Sequence, residues 1–136
     1  MYRLIYISTA SDALTAADVE SIVDVSIRNN APRNITGVLI YNGLNFLQVL
    51  EGTRLNVEEV FNRIVQDSRH LSVTTVLAES AELRIFAGWS MAGRRTLALA
   101  GRHEYETIVD AQDVLARQMP TRVRQILENF SSLKGI

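Results

Sequence analysis

Residues 28–52, RNNAPRNITGVLIYNGLNFLQVLEG, constrain this chain more than any other stretch. Two apolar runs, 35–41 and 45–51, flank Asn42-Gly43, a dipeptide suited to the positive φ of a tight hairpin turn. Strand side chains alternate between faces, so Phe46, Gln48 and Leu50 share one face and Gln48 looks into a core. A buried carboxamide without hydrogen-bond partners costs about 1–3 kcal/mol, so something polar must meet it. The candidates are a backbone group, a neighbouring side chain or a bound ligand.

At 136 residues, 47% of them hydrophobic, the chain is long enough to bury a single substantial core. No apolar run approaches the roughly 20 residues of a membrane span. The opening MYRLIYIS reads as a strand rather than as a signal peptide. A net charge of −1 offers no excess of cations for phosphates and argues against a dedicated nucleic-acid binder. The absence of cysteine excludes disulfides, thiolate metal sites and cysteine nucleophiles. Together these features predict a soluble, cytoplasmic protein.

Residues 3–8 alternate Leu4, Tyr6 and Ser8 against Arg3, Ile5 and Ile7, and apolar side chains on both faces predict a central strand. A helix follows, with Thr15 as N-cap, Asp18 in its first turn, and Val19, Ile22, Val23 and Ile27 at helical spacing. Pro32 stops it and leaves Asn29 and Asn30 at its C-terminal end. After the hairpin, Thr53 or Asn56 can cap a second helix that buries Val57, Val60, Phe61, Ile64 and Val65. Arg63 and Asp67 are spaced to pair on it, and Arg69 and His70 sit at its exit. Strands are predicted over 72–78 and 84–91, the latter with Trp89 and Met91 on one face.

The order β-α-β-β-α-β-β predicts an α+β, ferredoxin-like βαββαββ sandwich, with a five-stranded mixed sheet and two helices on one face. Two C-terminal helices follow. Tyr105, Ile108, Leu115 and Met119 mark the first over 104–119. Pro120 opens the second over 121–133, with Val123, Ile126, Leu127 and Phe130 on one side. They cover either the free face of the sheet or a partner.

Enzyme templates fit poorly: there is no phosphate-cradling glycine loop, no metal-spaced histidine set and no serine flanked for nucleophilic attack. His70 and His103 fall in distant segments, and Glu104 and Glu106 at a helix start are helix-dipole partners. What remains is a set of polar residues on apolar elements: Tyr6, Asn29, Asn30, Gln48, Arg63 and Asp67. Amides offer donors and acceptors together, which suits a flat heterocycle with alternating C=O and N–H groups. Ile22 and Ile64, one from each helix, are placed to sandwich a ring such as an isoalloxazine or a pterin.

At these positions the chain resembles a known family. RLIYIS, RNNAPRNITGVLIY, FLQVLEG, NRIVQDSRH and WSM, in this order, resemble the BLUF family of blue-light sensors using FAD, over about residues 2–92. The resemblance implies a flavin photosensor over residues 1–95 and a helical extension over 96–136, as in short BLUF proteins without a fused effector. It implies that Tyr6 donates an electron and a proton to the excited flavin and that Gln48 bridges the phenol and the ring. It implies flavin contacts from Ile22, Asn29, Asn30, Gln48, Arg63, Ile64, Asp67, Arg69 and His70, and a relay through Trp89 and Met91. Rearranged Gln48 hydrogen bonds would then give a small red shift without a covalent bond, and a cysteinyl-flavin adduct is impossible in this chain. The implied cofactor is FAD, with FMN or riboflavin as alternatives. The implied partners are a downstream effector protein and further copies of the chain, with neither nucleic acid nor membrane. The chain is then a photoreceptor in signal transduction and not an enzyme. The competing expectations are a small flavin-dependent or acylphosphatase-like enzyme on the same topology, and an interaction module without pigment.

Overall fold

The computed structural model describes residues 1–11, 14–41, 44–88, 96–98 and 114–133. Strand β1 (Tyr2–Ala10) leads into helix α1 (Ala16–Asn30), and a 3-10 turn (Ala31–Arg33) enters strands β2 (Thr36–Tyr41) and β3 (Asn45–Gly52). Helix α2 (Arg54–Gln66), strands β4 (His70–Ser80) and β5 (Thr96–Ala98), and helix α3 (Thr121–Leu133) follow. The five strands form one sheet in the order β4-β1-β3-β2-β5. All neighbours are antiparallel except β2 and β5, which run parallel. This is the ferredoxin-like arrangement with an added parallel edge strand.

Local chemistry accounts for the elements. The Thr15 hydroxyl accepts the Asp18 N–H at 3.2 Å while an Asp18 carboxylate oxygen accepts the Thr15 N–H at 2.9 Å, a reciprocal cap that starts α1. That bond, with Arg69 nearby, holds the Asp18 carboxyl below its usual range. Thr53 caps α2 by accepting the Asn56 N–H at 3.3 Å. The hairpin pairs Tyr41 with Phe46 and Thr36 with Glu51; Asn42 and Gly43 lie outside the described residues. On β2, a Cβ at Gly37 would come within 1.8 Å of the Val49 carbonyl oxygen, so this close approach admits only glycine.

The sheet separates two cores. On one face Leu4, Tyr6, Leu39, Phe46 and Leu50 pack with Ile22 of α1 and with Val57 and Val60 of α2. On the other, Ile5, Val38, Ile40, Leu47 and Val49 pack with Phe86, Val114 and the Val123, Leu127 and Phe130 side of α3. The C-terminal helix therefore covers the sheet face opposite the first two helices. Of the helix predicted over 104–119, Leu115 and Met119 are described and pack half-buried against this second core. His103, Glu104, Tyr105, Glu106 and Ile108 lie outside the described residues.

Two expectations are corrected here. The strand predicted over 84–91 is not formed in its described part: residues 84–88 are irregular, and the fifth strand is Thr96–Ala98. The Ile85 and Phe86 N–H groups are taken by the Glu51 carboxylate rather than by a ladder, and Gly88 adopts φ 85°, which a regular strand does not. Trp89 and Met91 lie outside the described residues. Val65, expected in the core, is exposed because it sits one step around α2 from the stripe of Val57, Val60 and Ile64. The side chains of Val19, Val23 and Ile27 lie outside what is described. Among the described residues no helix is long and apolar enough to cross a membrane.

Candidate functional site

Tyr6 and Gln48 are directly opposite each other on neighbouring antiparallel strands, with both side chains on the α1–α2 face. The Tyr6 hydroxyl donates to Gln48 Oε1 at 2.5 Å, and both residues are buried. Burial first, and the Asp67 carboxylate second, push the Tyr6 phenol well above its ordinary range. It is therefore a neutral donor at any physiological pH. Phe61 leans over its ring at 5.6 Å between centroids, and the His70 ring stands edge-on to it at 6.1 Å.

His70, at the start of β4, is held by Ser8, whose Oγ lies 2.8 Å from Nδ1. Burial, opposed in part by Asp67 and reinforced by Arg69, lowers its pKa to about 4, so the imidazole is neutral at pH 7. Just before it, Arg69 grips the Asp67 carboxylate with Nε at 3.0 Å and Nη2 at 2.8 Å. The Arg69 fork holds the Asp67 carboxyl below its usual range. Arg69 Nη1 also reaches Ser21 Oγ on α1 at 3.3 Å, so this side chain ties α1 to the exit of α2.

These groups edge a cleft between the two helices. From α1 come Ile22, Asn29 and Asn30; from α2 come Arg63 and Ile64; from its exit and the sheet come Asp67, Arg69, His70 and Gln48. Every residue for which flavin contact was expected thus lies on one cleft. The expected Arg63–Asp67 pair does not form: Arg63 pairs with Glu59 at 3.3 Å on the exposed side of α2, while Asp67 has turned to Arg69. Asp67 is the residue at which the helix ends, in extended conformation, so its carboxylate no longer lies one turn above Arg63.

Sequence reasoning missed Val25 and Val60 as lining residues and Ser8 and Ser21 as polar supports. Val25 follows Ile22 by three helical positions and Ser8 follows Tyr6 by two strand positions, so simple periodicity reaches both. Ser21 had no such signal, because its role depends on the approach of Arg69 from another element.

The deciding feature is Asn30. It ends α1, it is fully buried, and neither its Nδ2 nor its Oδ1 has a hydrogen-bond partner. Buried amides are otherwise satisfied, so this one implies a polar group supplied from outside the chain. Aliphatic side chains on two helices, a carboxamide on the floor and an orphaned amide at the edge fit a flat heterocycle with alternating donors and acceptors. An isoalloxazine ring is such a group.

Residues 1–92 match the family of sensors of blue light using FAD. The chain belongs to the BLUF family. It is 35% identical over 133 residues, 96% of its length, to the photoactivated adenylate cyclase subunit beta of Euglena gracilis, of which it spans 14%. The Klebsiella pneumoniae BlrP1 structure with FMN and cyclic diGMP superposes with a TM-score of 0.80 and 30% identity, covering 96% of this chain and 34% of that one. BlrB, a BLUF protein in its dark state, superposes with a TM-score of 0.69 and 27% identity, covering 97% of this chain and 96% of BlrB. Membership in BLUF places the chain among flavin-using sensors of blue light and supports that reading over a small enzyme on the same topology. Among the described residues there is no cluster of three or more side chains suited to a metal ion.

Proposed function

We propose that Tyr6 and Gln48 are the photochemical pair of this BLUF sensor and that Asn30 anchors the polar edge of its flavin. The observation that carries the reading is the buried Tyr6–Gln48 hydrogen bond beside the unpartnered Asn30 amide. Ile22 and Ile64 hold the two faces of the ring, and Asn29, Arg63, Asp67, Arg69 and His70 complete the contacts. FAD is the proposed flavin, as in the family's description, with FMN as the alternative because BlrP1 is described with it. A bound flavin supplies an oxidant when it absorbs blue light.

The residues of the chain do the rest. Tyr6 keeps its proton in the dark and directs it at Gln48 Oε1. Gln48 carries an acceptor and a donor on one rotatable amide, so turning it over, or shifting its tautomer, removes the acceptor from Tyr6 and presents a donor in its place. Phe46 and Phe61 keep water from the phenol, and the Arg69–Asp67 pair closes the end of the cleft. Residues 1–95 form the sensor unit and 96–136 an output extension, with Trp89 and Met91 relaying between them. The output is a contact, with a partner protein or another copy of this chain, and not a chemical turnover.

The test is an absorption spectrum of the purified protein before and during blue illumination. A flavin spectrum that moves slightly to the red and recovers in darkness is expected. A flavin spectrum that stays put removes the Tyr6–Gln48 pair from the mechanism, and a colourless protein that takes up no added flavin removes the site. Chromatography of the released pigment separates FAD from FMN.

A further inference from the structure

The sheet face away from the cleft holds a second buried polar centre, and the flavin chemistry makes no use of it. Glu51 lies three residues beyond Gln48 on β3, so its side chain points to the opposite face. It is fully buried. Its Oε2 accepts the Ile85 N–H at 2.7 Å and its Oε1 accepts the Phe86 N–H at 2.9 Å. Arg3 Nε at 3.3 Å and the Thr36 hydroxyl at 3.2 Å, from the strands on either side, complete the set. Arg84 reinforces the same corner, donating to Thr36 Oγ1 at 2.8 Å and to the Glu51 carbonyl at 3.0 Å. The carboxylate thus does for residues 84–88 what a strand partner would otherwise do.

The same short segment is held from its other side. Arg117 Nη1 donates to the Ile85 carbonyl at 3.2 Å and to the Ala87 carbonyl at 3.4 Å. Arg117 is in turn tied to the start of α3, because Arg124 Nη2 donates to its carbonyl at 3.0 Å. The Phe86 side chain packs in one core with Val123, Leu127 and Phe130 of that helix. An acid on the sheet grips the N–H groups of the segment, and a guanidinium from the C-terminal region grips its carbonyls.

We propose that Glu51 and Arg117 form a two-sided clamp that couples β3 to α3, and that Glu51 is a positioning residue for carrying the light signal from Gln48 to the C-terminal helix. The inference rests on the photochemical role proposed for Gln48. Its physical basis is directionality. Apolar packing between Phe86 and α3 is non-directional and tolerates sliding, whereas charge-assisted hydrogen bonds at two consecutive amides fix distance and angle. A shift of β3 at Gln48 moves a carboxylate three residues along the same strand, and residues 85–87 must follow or lose those bonds.

The test compares backbone hydrogen exchange across α3 in the flavin-loaded protein, in darkness and under blue light. Illumination is expected to change exchange in residues 121–133 of the wild type. Glu51→Gln keeps an acceptor for one amide and loses the charge and the second acceptor. It should retain the full red shift while its light-minus-dark difference in α3 falls at least fivefold. Arg117→Ala should do the same from the other side, and Arg117→Lys, with one donor restored, should regain part of the difference. A lower melting temperature with a wild-type difference in α3 would mean that Glu51 serves stability alone, and would overturn the clamp. So would a wild type whose α3 does not respond to light. If Glu51→Gln does not fold, the two Arg117 variants decide the matter. A wild type without any red shift would sink the photochemical reading itself, an outcome the spectrum reports separately from the exchange data.

Discussion

The two faces of this sheet bury polar side chains in opposite ways. On the α3 face, Arg3, Thr36 and Glu51 are buried, and the Glu51 carboxylate meets Arg3, the Thr36 hydroxyl and two backbone amides, all within the chain. On the α1–α2 face, Tyr6 and Gln48 satisfy one another, but Asn30 is left with both ends of its amide unpaired beside a cleft. A closed network specifies geometry; an open one specifies a guest. The difference identifies the α1–α2 face as the one that needs a ligand, although both faces hold buried polar atoms and Ile22, Val57 and Val60 belong to the core on that face. The larger concavity, which runs past Arg84 and Met119 beside the start of α3, holds no orphaned polar atom among the described residues and points to no guest.

This contrast can be broken by experiment. The largest effect is expected at the phenol: Tyr6→Phe should bind flavin and lose the light-induced shift entirely, as should Gln48→Leu, and a normal photocycle in either would remove that residue from the open face's chemistry. Next comes the closed face. Glu51→Ala leaves the Ile85 and Phe86 N–H groups without their acceptor and Arg3 with Glu79 as its remaining carboxylate partner, and should lower unfolding stability by about 2–4 kcal/mol in urea titrations. A loss under about 1 kcal/mol would show that water replaces the carboxylate and that the network is not closed.

Acid should separate the faces at an intermediate scale. His70 titrates at about 4 in the folded chain against 6.5 ordinarily, so the unfolded chain takes up the proton first and stability rises with pH across that window. The contribution is complete above about pH 6.5 and is lost as pH falls towards 4, by on the order of 2–3 kcal/mol in the flavin-free protein. Asp67, whose carboxyl is held low by Arg69, adds its loss only below the ordinary carboxylate range. Urea midpoints at pH 7 and pH 4.5 check this, and His70→Gln should flatten the difference. An unchanged slope in that variant would move the effect elsewhere. The smallest effect tests the guest itself. Asn30→Leu removes an unsatisfied amide, so the flavin-free protein should hold its stability or gain about 1 kcal/mol, while flavin affinity weakens roughly tenfold. A variant that is less stable without flavin would mean that Asn30 has a partner within the chain.

Much of the site is legible in the sequence alone. Gln48 could be placed inside because Phe46 and Leu50 flank it at strand spacing, and the Tyr6 face followed from the alternation of Leu4, Tyr6 and Ser8. Helical spacing brought Ile22 and Ile64 to inward faces, and helix termination put Asn29 and Asn30 at the mouth. The misreadings share a cause. Arg63 and Asp67 have the right separation to pair, but α2 ends between them and Asp67 turns to Arg69. Residues 84–91 have the composition of a strand, yet the Ile85 and Phe86 amides are claimed by a carboxylate more than thirty positions earlier in the chain.

What the sequence determined by itself is therefore whatever rests on local periodicity: the order of elements from β1 to β4, the pairing of β2 with β3, the faces of β1 and β3, and the cap at Thr15. Which buried polar groups find partners was decided only in the tertiary structure. The Tyr6–Gln48 bond, the Ser8–His70 bond, the Glu51 network and the orphaned Asn30 all depend on elements distant in sequence closing on one another. Burial removes water as a substitute partner, so the outcome for each group is set by the few atoms that the closed fold brings within about 3 Å.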